Sequence, residues 1–283
     1  MTVDLPGRRR LVAGRRVIAL RPGRHLELPD EVVTEEPMAI RLAGPGQDPA
    51  SVGVTMRTPG HDFELAVGFL ASEGLIGRDD HVETVRYCER VADDEQRYNV
   101  VTVRIDRPVD VSARARQLPI SSACGVCGTG SVDDLASRCR PVASDLRITS
   151  SLLLSLPERL RAGQRVFDRT GGLHAAGLFD GAGALLEERE DVGRHNAVDK
   201  LVGWAVLRGG LPLSSHVLAV SGRVGFEIVQ KAAVAGIPVV AAVSAPSSLA
   251  VETAERLGIT LAGFLRGDRG NVYTAPHRVD LDG

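Results

Sequence analysis

The chain has 283 residues, 43% hydrophobic and 25% charged, with a formal net charge of -2. That length buries one large core or two modest ones, and the near-neutral balance excludes a general nucleic-acid or membrane-surface binder while leaving room for a local basic patch. No apolar run approaches the roughly 20 residues that cross a bilayer, and the stretch Leu11-Val12-Ala13-Gly14 is broken at once by Arg15 and Arg16, so neither a membrane span nor an export signal is expected and the expected location is cytoplasmic.

In chain order, residues 11–20, 36–42 and 51–57 are short apolar or alternating runs parted by Pro and Gly turns, the pattern of strands. From 61 to 76 the period changes. Phe63, Val67 and Leu70 fall at helical spacing, and Asp62 and Glu64 suit the positive end of a helix dipole. Residues 98–105 predict a β-branched strand. Between Val111 and Ser131 the pattern dissolves, and polar and basic residues continue to about Ser144. A boundary near 140–150 is expected, giving a smaller strand-rich α+β domain over 1–145 and an α/β domain over 146–283.

The second half alternates. Residues 150–161 predict a helix, 177–187 two strands joined at Asp180-Gly181, and 199–207 another helix. A buried strand over 217–220 ends at Ser221-Gly222, and a helix carrying Phe226, Val229 and Ala233 on one face follows. A second apolar strand over 238–243 leads through Ser244-Ala245-Pro246-Ser247 into a helix ending at Gly258, and 260–265 is a third strand. Continuous apolar strands alternating with helices predict a parallel sheet covered on both faces.

Three constellations carry chemistry. The first is Cys124-Gly125-Val126-Cys127-Gly128. Two thiols at this spacing can approach each other, ligate one metal or relay a sulfur atom, and the glycines let a partner reach the sulfur and let backbone N–H groups stabilise a thiolate. Cys88 and Cys139 stand apart, with no His within a few residues of either, so the second ligand pair of a structural zinc site is missing. A buried inert pair and a thioredoxin-like dithiol remain open. The second pairs Thr170-Gly171-Gly172-Leu173-His174-Ala175-Ala176 with Glu190-Asp191-Val192-Gly193-Arg194-His195-Asn196-Ala197-Val198-Asp199-Lys200. This density of polar groups at a helix start suits an anionic ligand, or else a solvated helix cap. His174-Ala175-Ala176 lacks the Glu of a zinc deaminase, and Ser244-Ala245-Pro246-Ser247-Ser248 lacks its two cysteines, so deaminase chemistry is not expected. The third lies at strand ends: Ser221-Gly222-Arg223, then Ser244 and Ser247, then Phe264-Leu265-Arg266-Gly267-Asp268-Arg269. Hydroxyls, helix-start N–H groups and arginines there suit a nucleotide-like ligand. With His174 and His195 these residues are the candidate cofactor contacts.

These strings together resemble the formate dehydrogenase accessory sulfurtransferases, in the family's order from about Glu36 to the C-terminus; the cysteine loop and the Glu190–Lys200 string are the specific ones. The resemblance implies a persulfide carrier that takes sulfur from a cysteine desulfurase. It passes that sulfur to a molybdenum bis(pterin guanine dinucleotide) cofactor bound as substrate, before the cofactor enters formate dehydrogenase. It further implies a cytidine-deaminase-like C-terminal fold without the deaminase zinc or any structural metal, and a homodimer. By position, Cys124 is the implied persulfide carrier, Cys127 its partner, and Phe264 to Arg269 the cofactor-contacting segment. The competing readings are a cofactor-binding chaperone with structural cysteines and a redox or metal sensor built on the pair.

Overall fold

The structure is a computed structural model, and it describes residues 10–88, 98–111 and 140–281. Cys124, Cys127 and Cys139 lie outside the described residues.

The chain begins with an antiparallel ribbon of β1 (Val12–Arg21) and β2 (Arg24–Val33). Its turn is Pro22-Gly23, with Gly23 at φ 74°, a conformation open to glycine without steric cost. Next come β3 (Glu36–Ala43), β4 (Ala50–Arg57), α1 (Asp62–Ser72), β5 (Val82–Tyr87) and β6 (Val100–Ile105). These strands form one sheet in the order β4-β3-β6-β5. Met38, Ile40 and Leu42 alternate inward along β3 and meet Leu65 and Leu70 of α1 and Val101, Val103 and Ile105 of β6, the period-2 pattern of a sheet with one covered face.

The rest of the chain supplies β7 (Ile148–Thr149), α2 (Ser150–Gly163), α3 (Arg165–Thr170), β8 (His174–Asp180), β9 (Leu185–Asp191), α4 (Arg194–Leu207), β10 (His216–Val220), α5 (Phe226–Ala235), β11 (Val239–Ala242), α6 (Ser248–Arg256), β12 (Thr260–Arg266), β13 (Arg269–Val272) and β14 (Val279–Asp280). Six of these strands form a second sheet, in the order β13-β12-β11-β10-β8-β9. Both faces are covered, as the apolar runs predict. Val217 and Ala219 of β10 pack with Leu156 and Leu160 of α2 on one face. Leu218 and Val220 pack with Val198 and Leu201 of α4 and Val229 of α5 on the other.

The expectation of a parallel sheet is corrected. Within the six-stranded sheet only β10, β11 and β12 run parallel to one another. β8 is antiparallel to β10 and to β9, and β13 is antiparallel to β12. The reason is the connections: β8–β9 and β12–β13 are short hairpins, and a short hairpin can join only antiparallel strands.

The two sheets meet through α1 and α4, which touch backbone to backbone. A Cβ on Gly68 would collide with the carbonyl oxygen of Asp199, and one on Gly203 with that of Glu64. Helix glycines cost about 1 kcal/mol each against alanine; here they allow an approach that no side chain permits.

Candidate functional site

The carboxyl ends of β10, β11 and β12 form one margin of the six-stranded sheet. Because β8 is antiparallel to β10, with Val220 opposite Ala176, its first residue His174 also lies at this margin. So does Asp191, the last residue of β9, which pairs with His174. Backbone hydrogen bonds lace the three strand-end segments together. Val243 N–H donates to Val220 O at 3.2 Å, Val224 N–H to Ala245 O at 3.1 Å, Ser247 N–H to Val224 O at 2.9 Å, and Phe264 N–H to Ser244 O at 3.2 Å. The candidate residues scattered from 174 to 269 are thus brought to one end of the sheet.

Their side chains do different work. The Ser221 hydroxyl accepts from Ala175 N–H at 2.9 Å and ties the end of β10 to the start of β8. The Ser247 hydroxyl accepts from Ala250 N–H and caps α6, the ordinary role of serine before a helix. Leu265 is buried in the core with Phe179 and Val239, so it presents no side chain to a ligand. Phe264 is half-exposed at φ 55°, a backbone conformation costly for an aromatic residue. Its neighbour Gly263 is pressed against Pro246, Ser244 and Tyr273, with no room for a Cβ. That close approach, with the shift of register between Gly263 and Arg266, turns the Phe264 ring out of the sheet. Arg266, Gly267, Asp268 and Arg269 form the exposed end of the β12–β13 hairpin, with Arg266 opposite Arg269.

Around β10, His174, His195, Gly222 and Arg223 gather with Arg194. A Cβ on Gly222 would sit 3.2 Å from His174 Nδ1 and 3.9 Å from Arg194 Cβ. Burial lowers the His174 pKa, and the positive charges of Arg194 and Arg223 lower it further against the pull of Asp191. Burial, with Lys231, Arg194 and His174, pushes His195 down to about 3. Both imidazoles are therefore neutral at neutral pH. His195 Nε2 faces Glu227 Oε2 at 3.7 Å, too far for a hydrogen bond, and with a neutral imidazole the contact is not an ion pair. The buried Nε of Arg194 and Nε2 of His195 have no hydrogen-bond partner among the described residues.

The Glu190–Lys200 string is neither a ligand cluster throughout nor a solvated cap. The Asp191 carboxylate is fully buried and takes Lys200 Nζ at 2.7 Å, Thr58 N–H at 3.2 Å, Gly193 N–H at 2.8 Å and Asn196 Nδ2 at 3.0 Å. Lys200 Nζ also donates to Thr58 O, and Asn196 Nδ2 to Met56 O. Asp199 is likewise buried, bound by Lys231 at 2.7 Å and by the Ser72 hydroxyl. Glu190 accepts from Val166 and Phe167 N–H at the start of α3. Most of the string therefore locks α4 to β4 and α1, and only Arg194 and His195 are left to face the margin. Arg194 was named only within the Glu190–Lys200 string and not among the cofactor contacts, and Glu227 was not singled out at all. The available signal was position, since each falls in the first turn of a helix that follows a strand-end loop.

Among the described residues no group of three His, Cys, Asp or Glu is placed to hold a metal ion, and no helix is long and apolar enough to cross a membrane.

The model of the FdhD/NarQ family matches residues 33–280. The chain belongs to the FdhD/NarQ family. Proteins named sulfur carrier protein FdhD resemble it over nearly their whole length. The one from Streptomyces avermitilis is 52% identical over 96% of this chain and 97% of its own. The one from Anaeromyxobacter dehalogenans is 49% identical over 90% of each chain. Among solved structures, one described as a formate dehydrogenase accessory protein from Desulfotalea psychrophila superposes with a TM-score of 0.74. It has 25% identity and covers 96% of this chain and 100% of that one. The Gly172–Ala176 and Glu190–Lys200 strings that suggested the family thus fall, in this FdhD/NarQ chain, on the sheet margin and on the lock beneath it.

Proposed function

We propose that this chain is a sulfur carrier in the maturation of formate dehydrogenase. The observation that carries the reading is family membership, with relatives about half identical over nearly the whole chain that bear the name sulfur carrier protein. The finer chemistry is ours. The Cys124 thiolate attacks the outer sulfur of a cysteine desulfurase persulfide. A sulfur–sulfur bond forms on Cys124, and the desulfurase cysteine departs as its thiolate. The sulfur–sulfur bond then breaks with its electron pair left on Cys124, which returns to the thiolate with Cys127 assisting release, and the freed sulfur passes to the reduced molybdenum of a bis(pterin guanine dinucleotide) cofactor, whose two electrons bring it to the sulfide level.

The cofactor is the substrate of this step and rests on the sheet margin. Phe264 offers an exposed ring for stacking against a planar heterocycle. Arg223, Arg266 and Arg269 offer charge, and the neutral imidazoles of His174 and His195 offer uncharged hydrogen-bonding groups. The proposal includes the division into 1–145 and 146–283, a homodimer, a cytoplasmic site of action and a cytidine-deaminase-like fold for the second half. The fold reading is supported by the β8–β9 hairpin beside three parallel strands. Deaminase catalysis is not part of it, since Ala176 stands where the proton-transferring Glu would be.

Activation of a client formate dehydrogenase tests the reading. Cys124→Ala is expected to abolish activation while the protein stays folded, and Cys127→Ala to impair it less. Full activation by Cys124→Ala contradicts the assignment of the carrier.

A further inference from the structure

We propose that Arg194 and Arg223, flanking His174 and Gly222, form the anchor for the diphosphate of the bound nucleotide, in place of the arginines of the β12–β13 hairpin. The inference rests on the nucleotide-binding reading above and names the residues that hold its charged part.

Three observations carry it. First, neither guanidinium pairs with a carboxylate among the described residues, although nine other arginines and lysines there do, from Arg16 to Lys231. Arg194 is partly buried and its Nε is left without a partner. A guanidinium half out of water and without a counter-charge is costly, and an oxyanion supplies both the charge and the acceptor. Second, both arginines flank Gly222, Arg223 as its chain neighbour and Arg194 by its Cβ. Both act electrostatically on His174, and Arg194 lies beside Gly222, where the missing side chain opens the approach. Arg266 and Arg269 instead stand on a hairpin end that is exposed from Arg266 through Gly270, with no partly buried guanidinium such as Arg194 beside them, so water competes for each of their hydrogen bonds. Third, the acid that could have neutralised the pair is turned elsewhere. Asp191 is saturated by Lys200, Asn196 and two backbone N–H groups.

Glu227 sets the limit of the site. Its carboxylate lies by Gly225 and His195 at the start of α5, so a phosphate is repelled from that side and held toward Arg194 and His174.

Calorimetry of the full chain with GDP, and separately with inorganic pyrophosphate, tests this. Arg194→Ala and Arg223→Ala are each expected to weaken both ligands about ten- to a hundred-fold, the range for a charge-assisted hydrogen bond. Arg266→Ala with Arg269→Ala should cost less than either. Glu227→Gln should tighten pyrophosphate several-fold. Arg223 is exposed, so its variant reads the site even where Arg194→Ala disturbs folding. If GDP binds the unaltered protein and both single variants bind it within twofold, the anchor is wrong and the nucleotide reading stands. If pyrophosphate binds in an Arg194- and Arg223-dependent way while GDP does not, the nucleotide reading fails and the anion site stands. If neither ligand binds the unaltered protein at millimolar concentration, both are overturned.

Discussion

His195 shows how far a side chain's identity is from its role. In the sequence it is one polar residue in a dense polar string; in the structure it is a largely buried imidazole held neutral. Its folded pKa of about 3 lies below the usual 6.5. Between those values the unfolded chain binds a proton that the folded chain refuses. The stability His195 contributes is therefore complete above pH 6.5 and is lost as pH falls toward 3. Inside that window the one-proton difference gives a slope of up to about 1.4 kcal/mol per pH unit, and contact of the ring with water narrows the window. Urea unfolding from about pH 7 to pH 4 should show His195→Gln with a shallower pH dependence than the unaltered protein. Parallel curves would show that His195 is not held neutral. The same string also explains what could not be read in advance. Asp191, Asn196 and Lys200 look like a solvated face because charged residues are seldom fully buried. Their inward direction follows from partners at Met56 and Thr58, more than a hundred residues away.

Elements were legible in proportion to how much apolar surface they bury. β10, β11 and β12 are near-continuous apolar runs, and their limits match the reading closely. β2 and β13, almost wholly exposed, and β9 with its Glu-Glu-Arg-Glu-Asp tail are strands because a neighbour pairs with them, not because their side chains call for it. β2 even carries Pro29, tolerated in an unflanked ribbon. The start of α4 was read five residues late, at Asp199 and not Arg194, since its first turn is polar. The α1–α4 contact was invisible too, because a helix glycine in isolation is only a weak helix former. It predicts a measurable cost. Gly203→Ala gains helix propensity of about 1 kcal/mol but drives a Cβ into the Glu64 carbonyl oxygen, backbone that no rotamer change can move. Overpacking of this kind costs roughly 1–3 kcal/mol, more where backbone must shift. Thermal unfolding of Gly203→Ala should give a clearly lowered Tm; an equal or higher Tm would mean that the two helices do not touch as described.

At the scale of the molecule, a covered six-stranded sheet presents the candidate contacts along one margin, and a second sheet is held to it by two touching helices and by buried ion pairs. Arg189 of β9 extends that attachment to Glu64 of α1. The family resemblance was legible because its strings are specific, and the margin because strand ends in α/β sheets gather ligands. The sulfur-carrying step itself rests on the thiols of Cys124 and Cys127. The most direct measurement is the mass of the peptide bearing Cys124 after the protein is incubated with a cysteine desulfurase and cysteine. The account predicts a gain of one sulfur atom on that peptide, removed by a reductant and absent in Cys124→Ala. An unchanged mass, with the desulfurase active in the same mixture, would contradict it.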